Sequence, residues 1–237
     1  MSVDVIVSCV SIAAEALCLV SFMVAGYRRK LPWFTAYLAY LVAAESCGVL
    51  CFLTSARAYW YCFVGICVPC YLLEGFVMRE LLRAKAGWFG VPMRRAVNLL
   101  LPAASVLLIP FAFWLARGAS YHGLRSVVQL LLRADLAFAT YRVLIFLGIV
   151  YATKILFIGE RDIIDDVAVG LSIYAVVALL AGIIHEYAGR GALRPDIFAN
   201  VEQARILCWA ATTTFLTYRA FAYSGRRRPL ALTTESV

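Results

Sequence analysis

Seven apolar segments, at 5–25, 33–53, 59–82, 96–115, 136–158, 167–187 and 197–223, fill almost the whole chain. Each is about long enough to cross a bilayer, because roughly 20 helical residues rising about 1.5 Å apiece span a hydrocarbon core roughly 30 Å thick. The chain is 64% hydrophobic and 15% charged, against about 45–50% and about 25% in ordinary soluble domains. Water cannot be the solvent for a surface that must carry this excess. In lipid, every backbone N–H and C=O has to be paired inside a helix or a closed barrel, and apolar runs this long predict helices. The expected fold is all-α, a polytopic transmembrane bundle of seven helices.

The first segment is not a cleaved signal peptide. Its basic stretch, Arg28, Arg29 and Lys30, follows the apolar run, where a signal peptide carries such a stretch in front. If each helix switches sides, the side holding the N-terminus receives five Lys and Arg residues and the opposite side fourteen. Basic loops stay in the cytoplasm, which predicts an N-terminus outside and a cytoplasmic C-terminus in the plasma (inner) membrane. In this scheme residues 1–223 form a single transmembrane domain and 224–237 a short basic cytoplasmic tail. Arg226, Arg227 and Arg228 then meet anionic lipid headgroups, and residues 232–237 are expected to be disordered. The net charge of +8 implies no nucleic-acid partner, because such binders gather their cations on one continuous soluble surface. With no appended soluble domain expected, an inward signal needs a partner protein or a second copy of the chain.

Ahead of the fifth segment, Val127, Val128, Leu131 and Leu132 interleave with Arg125, Gln129 and Arg133, which predicts an interfacial helix or an outward extension of helix five. Ala178 with Gly182, and Gly148 with Ala152, have the spacing that lets neighbouring helices approach closely.

Glu15, Glu45 and Glu74 each fall near the middle of one of the first three segments. A charge at that depth costs roughly 2.5–3.5 kcal/mol on insertion scales, so all three are expected to face the protein interior. Ser8, Ser11, Glu15 and Cys18 form one helical stripe, and Cys67, Cys70 or Tyr71, Glu74 and Met78 another. Arg142, inside the fifth segment, is the expected cation for one of these acids. Together Glu15, Glu45, Glu74 and Arg142 are the candidate polar or ligand site, to be weighed against interhelical hydrogen bonds that only fix packing. Secondary candidates are Glu202 with Arg205, three residues apart and able to pair locally; His185, which could bind a metal or sense external pH; and Trp209, whose indole at mid-membrane needs a partner.

Seven of the eight cysteines lie in the first three segments. Cys67-Val68-Pro69-Cys70 has redox-motif spacing, but it lies within an apolar run, so Pro69 reads better as a kink. Cys9, Cys51 and Cys62 are placed near the outer surface, where a disulfide between two of them is an option in an oxidising compartment. The two histidines, His122 and His185, do not provide an axial haem pair within the bundle, and neither a cofactor nor a metal is expected.

Rhodopsins and G-protein-coupled receptors share the helix number and orientation, but the last segment has no lysine for a retinal Schiff base and no Asn-Pro-x-x-Tyr. Glu160-Arg161-Asp162 follows the fifth segment, not the third. Leu31-Pro32-Trp33-Phe34, Ala58-Tyr59-Trp60 with Glu74 and Glu80, and Gly170 with Ser172 and Tyr174 are the features by which the chain resembles uncharacterised bacterial seven-helix integral membrane proteins. That resemblance implies the fold and no activity. With no catalytic motif and short tails, the sequence is best fitted by a non-enzymatic sensor, receptor-like or scaffold bundle acting through a partner protein. The alternative is a small-solute or ion carrier that couples proton or cation movement to the intramembrane carboxylates.

Overall fold

Apolar runs bounded by Gly, Pro and basic residues give helices with sharp ends, and the computed structural model, which describes residues 3–86, 91–116, 126–156, 162–185 and 195–231, is all-α. Its helices are α1 (Val3–Val24), α2 (Pro32–Thr54), α3 (Ala56–Ala86), α4 (Val91–Ala116), α5 (Ser126–Leu156), α6 (Ile163–Ile184) and α7 (Pro195–Ala231), with a short 3-10 turn at Tyr27–Arg29. Each overlaps one of the seven apolar segments. α5 begins at Ser126, so the stretch before the fifth segment is continuous with it in one helix, 31 residues in all and about 46 Å long. α7 does not stop at Tyr223 but continues to Ala231, which makes residues 226–228 helical. Residues 232–237 lie outside the described residues.

Among the described residues, three helices are long and apolar enough to cross a membrane: Val5–Val24, Pro32–Thr54 and Ile163–Ile184, with mean hydropathies of 2.3, 1.7 and 2.6. They make this a membrane-associated protein. The other four carry interruptions: Pro69, Glu74, Arg79 and Glu80 in α3, Pro102 and Pro110 in α4, Arg133, Asp135 and Arg142 in α5, and Glu202, Arg205 and Arg219 in α7. Even so, every helix carries a large apolar or aromatic side chain more than half exposed, namely Leu17, Leu50, Leu72, Leu99, Tyr151, Ile173 and Tyr218, whereas Glu15, Glu74, Arg142 and Asp166 are buried. This reverses the usual arrangement of a soluble protein, in which charged side chains are seldom buried.

The chain forms two compact units. The first comprises Met1–Glu80, Gly159–Gly170 and Ala210–Val237. Its α1–α2 turn depends on Gly26, whose φ of 75° is left-handed, a conformation that costs an L side chain roughly 1–2 kcal/mol. Phe22, Tyr27 and Phe34 fill the turn, with ring centroids 5.6 and 5.2 Å apart, and Leu31 is fully buried beside them in sequence. Pro32 opens α2, where its missing N–H costs nothing. Leu31 at the N-cap supplies no side-chain acceptor, so a residue of α3 does: the Glu80 carboxylate accepts the Trp33 and Phe34 N–H groups at 3.0 and 2.9 Å. Trp33 stacks on Phe76 of α3 at 4.4 Å, which holds the same two helices together one turn away from the cap. Gly170 of α6 admits α7, since a Cβ there would stand 3.0 Å from Thr212 Cγ2.

The second unit comprises Leu81–Ile158 and Leu171–Trp209. α4 and α5 pack through Ala112, Leu136 and Ala137, flanked by Phe113, and Ser105 and Tyr141 share a hydrogen bond of 2.7 Å. Gly182 of α6 lies against α5, with Leu136 Cδ1 3.0 Å from where its Cβ would be. Among the described residues Gly148 meets nothing within 4 Å, so there, of the two small-residue pairs, only the one containing Gly182 marks a close helix contact.

Candidate functional site

The α1 stripe forms as its spacing requires: Ser11, Glu15 and Cys18 are fully buried on one face, joined by Ser21. Ser8 is only partly buried. Cys18 lies against Thr217 of α7 and close to Glu15. The hydroxyls around it return their protons to backbone carbonyls of their own helices, Ser21 to Cys18 at 2.7 Å, Thr213 to Ala210 at 3.0 Å and Thr217 to Thr213 at 2.9 Å. That is the usual way for a helix to bury Ser and Thr. On the α3 stripe, Glu74 and Met78 are buried, and the Tyr37 hydroxyl of α2 donates to Glu74 at 3.0 Å. Glu45 is half-buried in α2. All three acids belong to the first unit, whereas Arg142 belongs to the second.

Arg142 meets Asp135, seven residues earlier on its own helix, at 3.8 Å. Asp135 also faces Arg205 at 3.6 Å, and Arg205 donates to Glu202, as their three-residue spacing allows. Two cations and two anions thus form one chain of ion pairs, within which Arg142 is almost wholly buried. Trp209, also buried, packs on Tyr174 with ring centroids 4.7 Å apart. His185 is half-buried just beyond α6, while His122 and Glu186 lie outside the described residues.

A second ionic group, which the sequence reading passed over, joins α6 to α7 in the first unit. Asp166 is fully buried and accepts Arg219 Nε at 2.5 Å, while Arg219 Nη2 donates to the Tyr223 hydroxyl at 2.7 Å. Just upstream, Asp162 caps α6: its carboxylate accepts the N–H groups of Ile164 and Asp165 at 3.0 and 3.1 Å, and Asp165 accepts the Asp162 N–H at 3.1 Å. This arrangement resembles a capping box, and it gives Asp162 of the Glu160-Arg161-Asp162 triplet the role of starting α6.

The cysteines are all free thiols. Cys51 and Cys62 come together without the disulfide that the sequence offered as an option, and Cys47 joins them: the three Sγ atoms lie within 4.8 Å of one another. Cys62 donates to Cys47 at 3.6 Å. Cys47 and Cys51 are four apart on α2, hence on one face, and that spacing was the missed signal. Cys9 is exposed on α1. Cys67 and Cys70 are half-buried around Pro69, and the Tyr40 hydroxyl donates to the Ile66 carbonyl at 2.8 Å, next to Gly65, whose carbonyl has no helical donor at Pro69.

No family model, curated protein or solved structure matches the chain.

Proposed function

We propose that the chain is a seven-span integral protein of the plasma (inner) membrane, N-terminus outside and C-terminus cytoplasmic. In this role it is a non-enzymatic sensor or receptor-like scaffold that acts through a partner protein. One observation carries the proposal: buried ionisable groups are tied to tyrosines and to one another, as in Tyr37–Glu74, Asp166–Arg219–Tyr223 and Arg142–Asp135–Arg205–Glu202, while the apolar side chains face outward. Charges paired in this way fix how helices pack, and such paired contacts switch between discrete arrangements, as a signalling bundle requires. They also lower the cost of inserting α3, α5 and α7, whose charges would otherwise oppose crossing. Arg28, Arg29 and Lys30, exposed at the α1–α2 turn, fit anionic headgroups on the cytoplasmic side.

Reconstitution into proteoliposomes under a pH gradient tests this against the carrier alternative. The expected result is no proton flux above empty vesicles. A flux abolished by Glu45→Gln and by Glu74→Gln would replace the scaffold with a carrier.

A further inference from the structure

We infer that Cys47, Cys51 and Cys62 form a binding site for a thiophilic d10 metal ion, with copper(I) the best match to the donor set. The geometry begins in the hairpin. α2 ends at Thr54 and α3 starts at Ala56, so Ser55 alone, in an extended conformation, reverses the chain. At about 1.5 Å per residue, Cys51 and Cys47 stand about 6 and 12 Å back from Ser55 along α2, and Cys62 about 10 Å along α3. The third thiol is thereby level with the gap between the first two.

Sulfur spacing agrees with this. Thiolates bound to one ion at about 2.3 Å lie about 3.8 Å apart in a tetrahedral arrangement and about 4.0 Å apart in a trigonal one. The Cys47–Cys62 separation is 3.6 Å and all three sulfurs fall within 4.8 Å, far beyond the roughly 2.05 Å of a disulfide.

The donor set chooses the ion. Among the described residues the group holds three thiols and no carboxylate or imidazole, a donor set that disfavours hard cations such as magnesium and calcium, which take oxygen ligands. Soft sulfur donors select copper(I) or zinc. Copper(I) is satisfied by three sulfurs, whereas zinc requires a fourth ligand, which water would supply. On binding, each thiol releases its proton to solvent, three per ion, and no electron is transferred. Cys47 is exposed and the other two half-exposed, and Cys51 lies about one turn from Ser55 at the hairpin end, from which an ion can reach the group without opening the helices. The bound ion would clamp α2 to α3 at the hairpin end. The site requires only this hairpin and is independent of whether the protein acts as scaffold or carrier.

The test uses the full chain, purified in detergent under reductant and titrated with copper(I) against a chromophoric chelator, then with zinc in a parallel series. One ion per chain with a sulfur first shell by X-ray absorption is expected. Cys47→Ser, Cys51→Ser and Cys62→Ser should each weaken binding at least about tenfold, since even the loss of supporting partners around a metal costs that much. Cys9→Ser, outside the group, should bind as wild type does. Thermal melts of the unloaded variants report folding, and Cys47→Ser, on the exposed position, keeps the test decisive if a more buried variant unfolds. Failure of the wild type to take either ion from the chelator overturns the site. So does wild-type affinity in all three serine variants.

Discussion

Asp166 has no exposed surface and receives two elements' worth of constraint: it stands in the first turn of α6 and accepts Arg219 from α7. Removing the cation would leave a buried carboxylate without its counter-charge, a loss of about 3–5 kcal/mol in comparable cases. Arg219→Ala should therefore lower stability by about 3 kcal/mol, measured by denaturant unfolding in mixed micelles. Arg219→Lys should recover only part of it, because one ammonium cannot reproduce the Nε bond to Asp166 together with the Nη2 bond to Tyr223. Equal stability of wild type and Arg219→Ala would show that the pair does not hold α7. Tyr37→Phe removes one hydrogen bond from Glu74 and should cost about 1–2 kcal/mol in the same assay. The burial of Glu15, Glu74 and Arg142 was legible in the sequence because burying a charge away from lipid is dictated by its cost. Their partners were not. Tyr37 is 37 residues from Glu74, and hydropathy assigns a tyrosine no particular role. Asp135 was legible in principle, being two turns from Arg142 on one face, but an acid at a segment boundary looks like a helix end until the helix is known to begin at Ser126.

Elements were easier to find than their ends. Apolar length located all seven helices, since every one coincides with a hydrophobic run. The amphipathic start of α5 and the basic end of α7 carry too little hydropathy to be told apart from a loop or a tail, and the structure extends both. Caps supplied from another helix are equally hidden. Glu80 caps α2 from α3, so no local pattern around Leu31 announces it. Glu80→Ala should expose two N–H groups at the start of α2 and lower stability by about 1–2 kcal/mol, with the loss of amide protection confined to residues 33–36 if the carboxylate acts as the cap. Protection unchanged there, with a drop elsewhere, would assign Glu80 another role. Gly26→Ala tests the preceding turn in isolation. No atom of the described residues lies within 4 Å of the new methyl group, so the loss, expected at about 1–2 kcal/mol, is that of the left-handed backbone.

At the scale of the whole molecule, the charge asymmetry and the three apolar spans bear on different questions. Spans establish association with a membrane, whereas the excess of fourteen Lys and Arg over five on the two sides implies a direction, because cations resist translocation from the cytoplasm. Under the proposed topology, Ser55 and the Cys47–Cys51–Cys62 group lie on the outer side, and the turn at Tyr27–Arg29 lies on the inner. Ser55 and Arg29 are exposed, so each can be marked without disturbing a core. In a background with all eight cysteines replaced, Ser55→Cys should react in intact cells with a maleimide that cannot cross the membrane. Arg29→Cys should react only after the cells are opened. The reverse pattern would invert the protein and place the thiolate site in the cytoplasm, in contact with a reducing metal pool. Labelling of both in intact cells would remove α2 as a span, and with it the alternation on which the count of charges depends.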